Sequence, residues 1–253
     1  MFTPTILRFD SIDSTNLEAM RQAKAGVAEG LCVIAREQTR GRGRLDRSWH
    51  STKDAGLYFS VVLRPSFAVS HWPLIGLAAA VAVCNTLSKS CELEVDIKWP
   101  NDILVGDRKL GGILAETVGT SSGTAVVLGI GINLTGENIA PELLEVATSL
   151  DSFLEFPIDR ESLVDELVNA LSERYEMLDS EQGREQTIRD WCAHSSYARD
   201  RHVRVSLHDQ TFNGVTRGLE PDGALRVEAS DGMKSVRAGD VTALRAANGA
   251  EEQ

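Results

Sequence analysis

The segment Gln38-Thr39-Arg40-Gly41-Arg42-Gly43-Arg44-Leu45-Asp46-Arg47-Ser48-Trp49 alternates arginines with glycines. Glycine lets the backbone come close to a ligand, so N–H groups and guanidinium forks can converge on one anion, a carboxylate or a phosphate. Residues 36–53 hold six Lys or Arg against two acids, a local charge of +4 in a chain of net charge −11. By composition alone the segment reads equally well as a solvated basic loop. A nucleic-acid contact of the arginine–glycine kind is a third reading, which the overall acidity disfavours.

A second group follows. Lys98-Trp99-Pro100-Asn101-Asp102 is separated by a short hairpin from Arg108-Lys109-Leu110-Gly111-Gly112-Ile113-Leu114-Ala115-Glu116. Two lysines at strand ends flank a tight turn, and the paired glycines remove side chains where a ligand would meet the backbone. Taken singly, Pro-Asn-Asp is an ordinary turn and a surface lysine ordinarily only solvates. The third group, Gly129-Ile130-Gly131-Ile132-Asn133, resembles a dinucleotide fingerprint only superficially. It has no third glycine at the required position and leads into polar loop rather than a helix. No G-x-x-x-x-G-K-[ST] phosphate loop occurs, and none of the five histidines has a partner that would make it a catalytic base. If a base is needed, Asp102 is the acid available.

These groups need elements to hold them. Residues 5–9 read as a strand, broken by Asp10 to Ser14 before a helix near Thr15. Thr15-Asn16-Leu17-Glu18 has capping-box spacing, and Gly26 is placed to end that helix. Strands are expected at 31–35, 57–63, 93–99, 103–105, 110–117 and 125–132, with a helix from Pro73 to about Leu87. Leu163, Leu167, Leu171 and Tyr175 recur every four residues, which predicts an amphipathic helix over about 160–178 packed on the sheet. Trp49 and Trp99 read equally as core anchors or ligand walls. After Trp191, short strand candidates at 203–207, 211–217, 224–228 and 234–237 alternate with Asp-Gly turns, as in a small β-barrel, before a polar tail after Ala246. The chain is therefore expected to be α+β, a mixed sheet packed with helices, divided at 1–198 and 199–253.

Several classes are disfavoured. With 253 residues, 42% hydrophobic and 25% charged, the composition is that of a globular chain and not a disordered one. The run Leu74 to Cys84 is short of the roughly 20 residues a bilayer requires. The N-terminus lacks a basic n-region and an apolar h-region. The four cysteines have no metal-ligand spacing, so they read as thiols in a reducing cytoplasm, with neither a metal site nor disulfides signalled.

Taken in order, Asp13-Ser14-Thr15-Asn16, Gln38 with Gly41-Arg42-Gly43-Arg44, Lys98-Trp99-Pro100-Asn101-Asp102, Arg108-Lys109-Leu110-Gly111-Gly112-Ile113-Leu114 and Gly129-Ile130-Gly131-Ile132-Asn133 resemble the motifs of biotin protein ligase (biotin–[acetyl-CoA-carboxylase] ligase). The resemblance runs from about residue 8 to 245, because Gly214-Val215-Thr216-Arg217-Gly218 and Gly223-Ala224-Leu225 resemble that family's C-terminal domain. It implies a class II aminoacyl-tRNA synthetase-like catalytic domain followed by an SH3-like barrel, starting without a helix-turn-helix domain. It also implies the reaction: biotin and MgATP give biotinyl-5′-AMP, whose acyl group passes to a lysine of a biotin carboxyl carrier protein. By the same resemblance Ser14, Thr15, Asn16, Gln38, Arg42, Gly43 and Arg44 contact biotin. Lys109 serves the carboxylate or adenylate and Lys98 the ATP phosphates, while Asn101 and Asp102 orient those groups or the Mg2+. Trp49, Gly111, Gly112 and Asn133 complete the ligand-binding set, and Lys109, Lys98 and Arg44 are the catalytic candidates. Asp46 departs from the family's usual glycine. The chain is expected to be cytoplasmic, a monomer or weak homodimer, without nucleic-acid or membrane partners. A lipoate or other acyl-carboxylate ligase is the alternative enzyme, and a nucleic-acid-binding regulatory module the alternative of another class. The arginine loop is expected to be mobile until biotin and ATP order it, because nothing in the sequence supplies a contact to hold it closed.

Overall fold

Two strands, β1 (Thr5–Phe9) and β2 (Leu31–Ala35), lie parallel because helix α1 (Thr15–Lys24) carries the chain back between them. The remaining strands of the first sheet pair antiparallel: β3 (Gly56–Leu63), β4 (Asp96–Lys98), β5 (Asp102–Val105), β6 (Arg108–Thr120) and β7 (Gly123–Asn133). Their spatial order is β1-β2-β3-β7-β6-β5-β4, and β3, buried along its whole length, lies in the middle with β7. The computed structural model describes residues 2–244, so the polar tail after Ala246 lies outside the described residues.

Alternation along the strands divides the sheet's faces. Leu57, Phe59, Val61 and Leu63 join one core with helix α2 (Pro73–Cys91), whereas Val33, Val62 and Val127 pack with Ala19 and Ala23 of α1 on the other face. Helix α1 covers only part of its face, and the rest is left for the functional site. Its N-terminus departs from the capping-box expectation. Ser14 precedes the helix without a side-chain cap; Gln38 Oε1, brought from the arginine loop, instead accepts from Thr15 N at 2.8 Å. Glu18, the expected box partner, pairs with Arg21.

Helix α2 with its preceding turn, Val69–Cys91, is long and apolar enough to cross a membrane by length and composition, contrary to the reading of a short apolar run. Its alanines and leucines are buried against the sheet and neighbouring helices, so it is a core helix. Helix α3 (Arg160–Met177) has the expected apolar stripe, but its principal neighbour is α2 and not the sheet. Helix α4 (Glu181–Ala193) is absent from the sequence expectation, because its buried line is Gly183, Thr187 and Trp191, a pattern with one apolar member. Gly183 is required there, since a Cβ would stand 1.9 Å from the carbonyl oxygen of Met177. The expected strand over 93–99 shrinks to β4, because Leu93 N bonds Leu87 O to close the end of α2.

The second sheet holds β8 (Arg199–Ser206), β9 (Thr211–Leu219), β10 (Leu225–Ala229), β11 (Gly232–Val236) and β12 (Asp240–Ala243), all antiparallel in the order β11-β10-β9-β8-β12. Sequence reading missed the short β12. Val203, Val205, Leu225 and Val227 belong to the same core as α2. Trp99 links the two sheets: its Nε1 donates to Gly223 O at 3.2 Å. Gly223 also sits against Leu74 and Leu77 with φ +84, a turn conformation that favours glycine. Replacing Trp99 by Phe removes this buried donor and part of the ring, and is expected to cost about 2 kcal/mol. Urea unfolding should show it as a lower midpoint at unchanged slope.

Candidate active site

Opposed residues across a sheet share a face. Tyr58 opposes Gly131, Gly131 opposes Gly112, Gly112 opposes Asp102 and Asp102 opposes Lys98, so five residues from five strands form one transverse row. This row floors a cleft of about 360 Å³, within the usual range for small-molecule sites. Its glycines are needed for close approach. A Cβ on Gly131 would stand 2.7 Å from the Trp49 ring, and one on Gly129 would stand 2.2 Å from Asn16 Oδ1. The Gly-Ile-Gly stretch thus serves two side chains that lie flat on β7, and not a dinucleotide.

Lys109 reaches this face through an irregularity. Ile103 opposes Gly111 while Leu104 opposes Lys109, leaving Leu110 as an extra residue on β6. Simple alternation would put Lys109 on the face of Gly111; the bulge re-aims it to the face of Gly112. Its Nζ sits 2.5 Å from Asp102 Oδ1 and 5.4 Å from the centroid of the Trp49 ring. Lys98 Nζ lies 6.0 Å from the Tyr197 ring, and among the described residues it forms no ion pair. Asn101 donates to Ile113 O and accepts from Arg44 Nη1 at 3.1 Å, holding that guanidinium over the cleft.

The opposite wall is the start of α1. Ser14, Thr15 and Asn16 are buried there, and Arg21 holds the neighbouring Asp13 carboxyl down to about 2, chiefly by hydrogen bonding. A polar chain runs behind the wall. Gln38 Nε2 donates to Ser51 Oγ, Gln38 Oε1 accepts from Thr15, Ser60 Oγ bonds both Thr15 Oγ1 and Asn16 Oδ1, and Asn16 Nδ2 donates to Glu116 Oε2 at 2.9 Å.

The arginine loop closes the cleft, and here the expectation of a loop with nothing to hold it is corrected. Every one of its arginines has an acidic partner. Arg40 meets Asp13 at 3.5 Å, Arg42 meets Glu116 at 3.0 Å, Arg44 lies 3.9 Å from Asp240 with Gly239 O as a further acceptor, and Arg47 pairs with Asp240. Burial lowers the pKa of the Arg44 guanidinium, and the charges of Asp240 and Asp102 oppose that shift. Leu45 is 67% exposed, so apolar burial is not what holds the loop. Asp46 has φ +57, the left-handed conformation a glycine would take, and Asp tolerates it better than most residues.

Ser14, Thr15, Asn16, Gln38, Arg42, Gly43 and Arg44 line this cleft, as do Trp49, Lys98, Asn101, Asp102, Lys109 and Gly112. Two expected residues do not. Gly111 faces Ile103 and the core, and Asn133 is buried beyond the cleft, donating to Thr148 O and accepting from Asn138 Nδ2. Trp99 contributes to the lining, but its indole N–H is spent on the second sheet. Sequence reading missed Tyr58, Ser60, Glu116 and Asp240. Period-two alternation from Gly112 through Leu114 points to Glu116; nothing local marks Asp240. No group of three or more His, Cys, Asp or Glu able to hold a metal ion occurs among the described residues.

Asp240 is the tie between loop and second sheet, so Asp240→Asn should free Arg44 and Arg47. Losing such pairs costs roughly 1 kcal/mol of closure, about a fivefold rise in opening. Limited trypsin digestion should cut after Arg44 and Arg47 correspondingly faster, with global unfolding unchanged.

The Biotin/lipoate A/B protein ligase family matches residues 8–133, and the biotin protein ligase C terminal domain matches residues 200–242. The chain is 34% identical over 241 residues to the biotin–[acetyl-CoA-carboxylase] ligase of Mycobacterium tuberculosis, covering 92% of this chain and 86% of that protein. It is 32% identical over 250 residues to the bifunctional ligase/repressor BirA of Bacillus subtilis, covering 93% and 73%. The biotin protein ligase of Aquifex aeolicus, solved with biotin and ATP, superposes with a TM-score of 0.83 at 26% identity, over 97% of this chain and 100% of that one. The mixed sheet with its helices therefore has the biotin ligase fold. With both sheets matched and relatives above 30% identity spanning nearly its whole length, this chain belongs to the biotin protein ligase family.

Proposed function

We propose that the chain is an ATP-dependent biotin ligase that forms biotinyl-5′-AMP and transfers the biotinyl group to one lysine of a biotin carboxyl carrier protein. The observation that carries this reading is the convergence of Lys109, Lys98, Arg42 and Arg44 on one cleft whose floor is bare glycine backbone. A carboxylate and a triphosphate repel each other, so their reaction needs fixed cations in a site with little water. In the first step a biotin carboxylate oxygen attacks the α-phosphorus of MgATP and pyrophosphate leaves. Lys109 and Arg44 neutralise the carboxylate and the charge building on the α-phosphate; Lys98 holds the departing phosphates. Mg2+ enters as part of the MgATP substrate. Asp102 and Asn101 keep Lys109 and Arg44 in place until the anions arrive. In the second step the carrier's lysine, as its free amine, attacks the acyl carbon; AMP leaves and an amide forms. Asp102, whose carboxylate lies in the cleft beside Lys109, is the base assigned to the amine's proton.

The buried side chains of Thr15 and Asn16 and the half-buried amide of Gln38 suit a ureido ring, which both donates and accepts, while Trp49 supplies an apolar surface. A lipoyl ring has no such polar pattern, and this favours biotin within a family whose description includes both acids. The five antiparallel strands of the second sheet are read as an SH3-like barrel, and the first sheet as a class II aminoacyl-tRNA synthetase-like domain. Net charge −11 opposes attraction to nucleic acid and favours a monomer or weak homodimer, and the four free cysteines suit a reducing cytoplasm.

Biotin-dependent ATP–pyrophosphate exchange tests the reading when run beside lipoate, octanoate and no acid. Exchange is expected with biotin alone, and Lys109→Ala is expected to lower it about 10² to 10³-fold in a folded protein. Preference for lipoate, or near-normal exchange by the variant, would overturn the substrate or the role of Lys109 respectively.

A further inference from the structure

The arginine loop folds as a β-hairpin whose glycines and whose left-handed residues occupy different places. Arg42 bridges Ser48 antiparallel, Trp49 N donates to Gly41 O at 2.9 Å, and Gly43 N donates to Arg47 O at 2.7 Å. At the tip, Arg47 N donates to Arg44 O at 3.1 Å across Leu45 and Asp46, which have φ +54 and +57. Positive φ at both central residues is the pattern of a type I′ turn, ordinarily filled by Asn-Gly or Gly-Gly. Gly41 and Gly43 lie in the arms instead, neither with positive φ. Gly41 is needed there for close approach, because a Cβ would stand 2.3 Å from Trp49 O. We infer that the Leu45-Asp46 pair is a strained turn that holds the arginine loop near balance between closed and open, and so sets how tightly the cleft retains biotin. The inference rests on the biotin reading above and deepens it.

A left-handed L residue brings its Cβ against the following carbonyl oxygen. Asp offsets part of that cost by hydrogen bonding to the local backbone, whereas leucine has no polar atom to do so. Five non-glycine residues have positive φ among the described residues; Leu45 is the aliphatic one, and its neighbour Asp46 repeats the conformation. Packing does not compensate, since Leu45 is 67% exposed and neither residue lines the cleft. What opposes the strain is the set of ion pairs made by Arg40, Arg42, Arg44 and Arg47, each weak where water reaches it. Strain in two residues and the sum of four such pairs are of the same order, so neither state of the free loop dominates. Bound anions add their own contacts to the arginines and tip the balance to closed. A ligand that needs the closed loop binds with its intrinsic affinity reduced in proportion to the closed fraction.

The test is amide hydrogen exchange at Gly43 and Trp49 in the ligand-free protein, since opening removes their acceptors, together with the biotin dissociation constant from titration calorimetry. Leu45→Asn combined with Asp46→Gly supplies the residues this turn favours. It is expected to slow exchange at both amides about 10-fold and to tighten biotin by about threefold or more. Asp46→Gly alone should gain less, because glycine also frees the open chain. Asp46→Val, β-branched in the left-handed region, is expected to act oppositely, speeding exchange and weakening biotin about fivefold. Asp46→Asn removes the charge but tolerates the conformation, and should match the wild type in both measurements. Unchanged exchange in the double variant or in Asp46→Val overturns the inference. So does a biotin affinity that stays constant while exchange moves, and so does an Asp46→Asn effect equal to that of Asp46→Val, which would make the charge and not the turn decisive. A wild-type protein that binds no biotin would overturn the biotin reading instead, while the exchange measurements would still decide whether the turn is strained.

Discussion

Bare backbone at Gly129 and Gly131 is the constraint on which the site depends. Strand β7 lies near the middle of the sheet, and side chains at these two positions would fill the space now taken by Asn16 and the ring of Trp49. Asn16 carries the start of α1 onto the sheet; Trp49 carries the end of the arginine loop. Both walls of the cleft therefore rest on the same two missing Cβ atoms. The same close approach sets Trp49 within cation–π distance of Lys109, so the cation is held between an aromatic face and the Asp102 carboxylate.

The electrostatics follow from packing several cations around one small volume. A cluster of arginines and lysines repels itself and loses hydration as it is covered, so compensating acceptors are needed, and all but Lys98, which lies over the Tyr197 ring, have one. Asp13, Glu116, Asp240 and Asp102 supply it, each from a different element. Such pairs at partly exposed positions contribute little to stability. Their value is geometric: they keep the guanidinium and ammonium groups aimed at the place where substrate anions will sit, so little reorganisation remains when the anions bind.

The second sheet completes the site as well as extending the core. Trp99 ties it to the turn that carries Asn101 and Asp102, and Asp240 ties it to the arginine loop. Two contacts of different kinds, one buried and neutral, the other charged and half open, thus connect the same sheet to the fixed floor and to the loop that closes over it. The neutral contact lies in a continuous hydrophobic core and holds firmly; the charged one is accessible to water and salt.

Much of this was legible in the sequence because it depends on local rules. Strand alternation, the glycine-rich arginine loop, the Pro-Asn-Asp turn and the helix periodicities of α2 and α3 are set by neighbours a few residues apart, and thirteen of the fifteen residues singled out for the site come together in one cleft. What escaped depends on register and distant packing. Helix α4 buries Gly183, Thr187 and Trp191, a pattern periodicity does not recognise. Gly111 belongs to a good motif but points away from the cleft, because period two sends it to the face opposite Gly112, while Asn133 shares the face of Gly131 and lies past the end of the cleft, bonded to Thr148 and Asn138. Lys109 reaches the site face only through the one-residue bulge at Leu110, and Asp240 meets Arg47 from 193 residues away. The sequence by itself determined which residue types were available for anion chemistry and which segments would be strands or helices. Only the tertiary structure decided which side chains share a face and which acid answers each cation, since those depend on strand register and chain crossing, which no local pattern encodes.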